Sequence, residues 1–249
     1  MAPALETRGL SMSFGGVIAT NDVSFRLEQG ARQALIGPNG AGKTTLVNLL
    51  TGVLAPSSGS IFLDGVDITG MRSDARVRRG LSRTFQINQL FGTMTPLETL
   101  CLAASEHADA RGRGWRPMGA KSENVAVVAG LATRFGLADV LEAPTSTLSY
   151  GKRRLLEIAV AFACRPRVLL LDEPAAGVPE AERQEILAAV ASLPRDVSVL
   201  LIEHDMDLVF SFADRISVLV GGSLLTEGPA EAIANDPRVR AVYLGEANA

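Results

Sequence analysis

Gly37-Pro38-Asn39-Gly40-Ala41-Gly42-Lys43-Thr44 is the stretch that decides the fold. It matches the pattern G-x-x-x-x-G-K-[ST] in full, and its setting agrees: an apolar strand at 34–36 leads in, and a helix through Leu46, Leu49 and Leu50 leads out. Small residues are needed because backbone N–H groups must wrap phosphate oxygens closely, while the helix N-terminus adds its positive dipole. Lys43 then bridges the outer phosphates and the Thr44 hydroxyl binds Mg²⁺. A glycine-rich turn before an ordinary helix is the plain alternative. It is weakened by the scarcity of lysine, since Lys43, Lys121 and Lys152 are the only three in the chain.

Upstream of this loop the chain reads as strands and turns, with Gly9-Leu10-Ser11-Met12-Ser13-Phe14 and Val23-Ser24-Phe25-Arg26-Leu27 as apolar runs. Downstream, Ser60-Ile61-Phe62-Leu63 meets Asp64-Gly65 and resumes as Val66-Asp67-Ile68, the Asp-Gly hairpin signal. From about residue 95 to 163 the spacing of Ala, Leu and Glu turns helical, broken by the loop-like tract at 112–117. Continuous apolar runs at 168–171 and 197–202 suit strands buried on both faces of a parallel sheet. The helix between them opens at Pro179, with Glu180 and Glu182 in its first turn.

Two further stretches carry chemistry. The run 168–171 ends in Asp172-Glu173-Pro174, and strand ends are where doubly wound sheets bind ligands. Asp172 can hold Mg²⁺ through water, and Glu173 can polarise an attacking water. A strand followed by an acidic turn is the ordinary alternative. Leu148-Ser149-Tyr150-Gly151-Lys152-Arg153-Arg154 starts a helix through Leu155, Leu156, Ile158 and Val160. A serine hydroxyl with backbone amides at a helix start is an anion site, and equally an N-cap.

The order of these motifs resembles the ATP-binding subunit of ATP-binding cassette (ABC) transporters along nearly the whole chain. The resemblance implies an α/β P-loop NTPase (RecA-like) core with an antiparallel β subdomain and an inserted α-helical subdomain. In that division 1–86 and 166–249 form the core and β subdomain, 87–165 form the helical subdomain, and 1–249 make one ATPase domain. It implies ATP and Mg²⁺ as ligands. Gly37, Pro38, Asn39, Gly40, Ala41, Gly42, Lys43, Thr44 and Thr45 hold the phosphates, and Phe14 stacks on adenine. Ser149 and Gly151 match the signature that meets the γ-phosphate of the ATP held by a second ATPase subunit. Gln86, in Arg83-Thr84-Phe85-Gln86, matches the glutamine that touches Mg²⁺ and the attacking water. His204 matches the switch histidine at a core strand end. Glu173, His204 and Gln86 are thus the catalytic set, and Thr44, Gln86 and Asp172 the metal set. A buried strand phenylalanine is the rival reading of Phe14.

Details narrow the resemblance to the importer group for branched-chain amino acids and related hydrophobic or amide solutes. They are the Arg-Thr-Phe-Gln run, the Ser-Tyr-Gly signature, the Ala175-Ala176-Gly177 loop and the ending Val242-Tyr243-Leu244-Gly245-Glu246. The implied partners are an identical or paralogous ATPase subunit, transmembrane permease subunits and, indirectly, a periplasmic or extracellular solute-binding protein. The implied place is the cytoplasmic face of the inner membrane, held peripherally. Three positions depart from the common family pattern: Tyr150 replaces glycine, Lys152 replaces glutamine and Pro179 replaces aspartate. Tyr150 and Pro179 count against the related lipopolysaccharide-export ATPases. A soluble non-transport cassette protein, which normally brings long coiled coils or two cassettes, and a small-molecule kinase are the remaining alternatives.

Composition agrees. The 249 residues are 47% hydrophobic and 20% charged, enough for a sizeable core, and the net charge of −3 does not advertise nucleic acid as a partner. Cys101 and Cys164 make no disulfide framework, and residues 1–10 lack the basic and apolar regions of a cleaved signal. Arginines cluster at 72, 76, 78, 79 and 83 and again at 111, 113 and 116. Both clusters read first as solvated faces, with acidic headgroups or cytoplasmic loops of membrane subunits as the sharper alternative.

Overall fold

The computed structural model describes residues 2–84, 90–109 and 122–246. Gln86 and Phe85, the tract at 112–117 and the arginines at 111, 113 and 116 lie outside the described residues. In chain order the elements are β1 (Leu5–Phe14), β2 (Val17–Val23), β3 (Arg26–Leu27), β4 (Arg32–Ile36), α1 (Lys43–Leu50), β5 (Ser58–Leu63), β6 (Val66–Asp67), α2 (Ser73–Arg78), β7 (Leu81–Arg83), α3 (Pro96–Asp109), α4 (Ser122–Arg134), α5 (Tyr150–Ala163), β8 (Val168–Asp172), α6 (Glu180–Ala191), β9 (Ser198–Ile202), α7 (Met206–Phe212), β10 (Arg215–Val220), β11 (Ser223–Pro229), α8 (Ala230–Asn235) and α9 (Pro237–Glu246). They form two compact units, one of Met1–Arg76 with Arg195–Ala249 and one of Val77–Pro194.

In the first unit an antiparallel layer is built around β1, which pairs with β2 (Phe14↔Val17) and with β5 (Leu5↔Leu63). The Asp64-Gly65 hairpin forms as expected: both residues are left-handed, at φ 50° and 76°, and Leu63 pairs with Val66 across the turn. The second strand differs from expectation. It spans Val17–Val23 and ends where the sequence reading starts it, because Val17 and Ile18 pair back onto Phe14 and Ser13, and Asp22 at φ 50° breaks the extended run. Of the expected run at 23–27 only Arg26 and Leu27 pair, with Glu6 and Leu5.

The second layer of this unit is parallel at its centre. Leu35 of β4 pairs with Ile202 of β9, and Ile36 of β4 pairs with Val218 of β10, so all three strands end at one edge. β4 and β9 are buried at every position, which is what continuous apolar runs predict for interior parallel strands. β11 folds back on β10 through Gly221-Gly222, a hairpin outside the sequence expectations although its Gly-Gly signal is plain. Ala34, Ile36, Ile216 and Val218 pack with Val209 of α7 and Ile233 of α8 to form the core on one face.

The second unit pairs β7 with β8 in parallel, Leu81 with Val168 and Arg83 with Leu170. Around them α3, α4 and α5 pack on one another, and α6 packs on α5. Phe135 and Phe162 meet edge to face at 5.8 Å, joining the end of α4 to α5. The helical region expected from the spacing at 95–163 is present as α3, α4 and α5.

One expectation is corrected in the first unit. Arg72, Arg78 and Arg79 are exposed, but Arg76 is only 1% exposed. Its guanidinium donates to the carbonyls of Leu49 and Leu50 at 2.7 Å each, Thr69 at 2.8 Å and Met71 at 2.9 Å. Leu49 and Leu50 close α1, so the cation sits at the negative end of the helix that follows the phosphate loop. Burial disfavours the charged form and lowers the Arg76 pKa, a cost the ring of carbonyls offsets. Gly52 makes the room: at φ 74°, a β-carbon there would lie 2.8 Å from Arg76 Nε. Arg76→Met removes the shared donor from four carbonyls and is expected to cost about 3 kcal/mol in urea unfolding, whereas Arg72→Met should stay within about 0.5 kcal/mol.

Candidate nucleotide site

The first unit supplies a phosphate cradle. β4 ends at Ile36, the loop runs from Gly37 to Gly42, and α1 starts at Lys43 with Gly42 as its N-cap at φ 98°. No acidic residue stands in the first turn of α1 to repel an anion. Lys43 Nζ lies back over the loop, donating to the carbonyls of Gly37 and, at 3.0 Å, Pro38. Asn39, Gly40 and Thr44 are exposed, while Ala41 is buried. The glycines divide in their duties. A β-carbon on Gly37 would strike the Leu219 carbonyl and one on Gly42 the Ala19 carbonyl, whereas one on Gly40 would meet nothing within 4 Å. Gly37 and Gly42 are therefore required by the packing of the loop itself, and Gly40 is the position open to an approaching ligand. An open helix N-terminus, exposed loop residues and a lysine over the loop fit a polyphosphate.

The other expected residues of this unit converge on the same edge. Ile202 is the partner of Leu35, so His204, two residues beyond β9, follows from the strand end next to the loop. Phe14 ends β1, is 48% exposed, and belongs to the hairpin whose second strand places Ala19 against Gly42. That exposure argues against the buried-strand reading of Phe14.

Sequence reasoning passed over Glu203. It is 1% exposed, and its Oε2 accepts from the backbone N–H of His204 at 3.1 Å and of Asp205 at 3.4 Å. Asp205 in turn caps α7, its Oδ1 accepting from Asp207 N at 3.0 Å and Leu208 N at 3.2 Å. A carboxylate directly after the four buried apolar residues Val199–Ile202 was the available signal. It leaves the His204 side chain 65% exposed on a backbone held from beneath.

The second unit carries Asp172, Glu173, Ser149 and Gly151. Asp172 ends the fully buried β8, and its Oδ2 accepts from Arg83 Nη2 at 2.6 Å, with both side chains under 10% exposed. Arg83 is thus a buried partner of the acidic pair, which corrects its reading as part of a solvated face. Thr84 flanks the same strand: its N donates to Leu170 O at 2.9 Å and its Oγ1 accepts from Asp172 N at 3.2 Å. Glu173 sits at φ 46°, a left-handed conformation that costs a non-glycine residue about 1 kcal/mol. Arg154 holds that bend, donating to the carbonyls of Asp172, Glu173 and Pro174.

Ser149 is the N-cap of α5, its hydroxyl accepting from Lys152 N at 3.3 Å. The Gly151 amide donates to Glu182 Oε2 at 2.6 Å, so a carboxylate of α6 occupies this N–H. Two of the three departures from the family pattern have a local partner. The Tyr150 hydroxyl donates to Ala176 O at 3.3 Å, and Lys152 Nζ reaches Gly136 O at 2.6 Å and Asp139 Oδ1 at 3.4 Å. Pro179 is the N-cap of α6 and makes no side-chain cap, in keeping with a role in helix initiation alone. Among the described residues no three His, Cys, Asp or Glu side chains gather as a metal site.

Comparison with known proteins agrees with this arrangement. The family model described as ABC transporter matches residues 20–176, and the one described as branched-chain amino acid ATP-binding cassette transporter matches residues 223–249. The chain is 42% identical to the high-affinity branched-chain amino acid transport ATP-binding protein BraF of Pseudomonas aeruginosa, across 98% of this chain and 99% of that one. It is 40% identical to the corresponding protein LivG of Escherichia coli, with the same coverage. Among solved structures it superposes with a TM-score of 0.84 on an ATP-binding cassette of an ABC transporter in its ADP conformation, at 28% identity over 98% of this chain and all of that one. The chain belongs to the ATP-binding subunits of the ABC transporter family, and it is an ATP-binding ATPase of the P-loop fold.

Proposed function

We propose that this chain is the ATP-hydrolysing motor of an importer for branched-chain amino acids or related hydrophobic or amide solutes. What carries the reading is the glycine loop with Lys43 at a strand-to-helix turn, in a chain 42% identical to BraF along its length. The model match at 223–249 supports the branched-chain group. In this reading residues 1–86 and 166–249 form the nucleotide-binding core with its β subdomain, and 87–165 the helical subdomain. The chain pairs with an identical or paralogous ATPase subunit, so that each ATP lies between Lys43 of one copy and Ser149 and Gly151 of the other. Permease subunits dock beside Gln86 and the helical subdomain, and a solute-binding protein delivers the cargo to them. Attachment at the cytoplasmic face of the membrane is peripheral, through those partners; no helix among the described residues is long and apolar enough to cross a membrane.

The residues divide the work as follows. Phe14 stacks on adenine, and the backbone N–H groups of the loop at 37–45, Pro38 excepted, hold the phosphates with Lys43. Mg²⁺, once bound, neutralises charge on the β- and γ-phosphates. Thr44, Gln86 and, through water, Asp172 would hold it, and Arg83 fixes one oxygen of that carboxylate. Glu173 takes the proton of the attacking water, and His204 contacts the γ-phosphate from its strand end. Ser149 and Gly151 close over the same phosphate from the second subunit. Since the γ-phosphate is the one ligand both copies share, its hydrolysis releases the pair.

Two variants test the assignment. Glu173→Gln should bind ATP as the wild type does, lose turnover by about 10²- to 10⁴-fold and accumulate closed pairs on size-exclusion chromatography; hydrolysis at the wild-type rate refutes the role. Lys43→Ala loses a charge-assisted contact, so its Kd for a fluorescent ATP analogue should rise by about 10- to 100-fold, and unchanged affinity would place the nucleotide elsewhere.

A further inference from the structure

Arg154, in the second turn of α5, is only 3% exposed. Its Nη2 donates to the Asp172 carbonyl at 2.9 Å and to the Glu173 carbonyl at 2.6 Å, and its Nε to the Pro174 carbonyl at 3.0 Å. Nη1 is held by Glu157 Oε2 at 2.7 Å, one turn further along α5. Burial pushes the Glu157 carboxyl up from its ordinary pKa, and Arg154 opposes that shift.

The consequence lies in the backbone of Glu173. The Asp172 carbonyl belongs to the peptide plane before Glu173 and the Glu173 carbonyl to the plane after it. One guanidinium therefore fixes both planes, and with them the φ and ψ of a residue in the left-handed region at 46°. Only a planar fork of donors reaches successive carbonyls in this way; a lysine ammonium is a single point on a flexible stem. Arg154 also lies five residues past Ser149, the N-cap of the same helix. A shift at the start of α5 is thus transmitted to the Glu173 peptide through one rigid turn and a half.

We propose that Arg154 is a positioning residue for Glu173, and that it ties the aim of a protomer's carboxylate to the phosphate contact its own Ser149 and Gly151 make on the opposite nucleotide. This rests on the assignment of Glu173 and of the shared γ-phosphate above. It accounts for how two sites related by a pair could fire together: the signature end of α5 belongs to one site and Glu173 to the other, and Arg154 joins them inside one chain.

The test uses the full chain purified with the ATPase subunit it pairs with. Arg154→Lys should keep the Kd for a fluorescent ATP analogue within about twofold, lower kcat by about 10- to 100-fold, and reduce the Hill coefficient of the rate against ATP to about 1. A lowered Tm with kcat and Hill coefficient unchanged overturns the proposal and leaves Arg154 a packing residue. So does a wild type whose rate rises hyperbolically with ATP. If Arg154→Lys does not fold, Glu157→Gln decides, because it loosens the guanidinium while keeping an acceptor: a lower kcat at constant Kd supports the proposal and a wild-type kcat overturns it. Glu173→Gln run in parallel separates the two levels. An active Glu173→Gln removes the assignment of Glu173, whereas an inactive one beside a wild-type Arg154→Lys removes this inference alone.

Discussion

No β-carbon fits at Gly37 or Gly42, because the backbones of two other strands already stand there. The Leu219 carbonyl of β10 closes on the first glycine and the Ala19 carbonyl of β2 on the second. Gly222 then donates to Ala41 O at 2.9 Å and accepts from Asn21 N at 2.8 Å, so segments near residues 20, 40 and 220 meet on one loop. The antiparallel layer, the parallel layer and the β10–β11 hairpin are joined at this junction. The chemical demand for small residues around a phosphate and the packing demand of the junction coincide, which keeps the loop amides fixed before any ligand arrives.

Each unit solves a second problem with a buried arginine. At the end of α1 the exposed carbonyls of a helix terminus meet Arg76, and at the end of β8 the carbonyls of a sharp bend meet Arg154. Both places need several donors in one plane around a polar backbone that water does not reach. A lysine would satisfy fewer of these carbonyls. The choice is consistent with a chain that has only three lysines among its 24 cationic residues.

The elements legible in the sequence were those whose signal is local. The glycine loop, the Asp64-Gly65 hairpin, the buried runs of β8 and β9, the Ser149 cap and the Pro179 helix start all depend on neighbours within a few residues. The arginines at 76, 83 and 154 and the carboxylate of Glu203 were read as surface or passed over. Their burial depends on partners such as Leu49 or Asp172, which lie 27 and 89 residues away for Arg76 and Arg83. An arginine on a polar helix face and one buried under a bend look alike until the fold brings the carbonyls together. β2 was misplaced for the opposite reason: Val17 and Ile18 are 67% and 60% exposed, and exposed strand residues leave no burial pattern to read.

The contact between Gly151 and Glu182 changes how binding at the start of α5 should be reckoned. An N–H left unsatisfied would gain a full hydrogen bond from an arriving phosphate oxygen, but this one already has a carboxylate at 2.6 Å. In the function proposed above, closing the pair exchanges one anion for another, so the gain is a difference between two charge-assisted bonds. Glu182 lies at the third position of α6, behind Pro179, which offers no side chain to cap the helix. Pro179 also has no backbone N–H, so the carboxylate cannot accept one from its own N-cap residue and reaches across to α5 instead. The departure at Pro179 and the occupied amide at Gly151 are, in this sense, two ends of one local arrangement that ties α5 to α6, and in the proposed pair it is the contact that an arriving phosphate would have to replace.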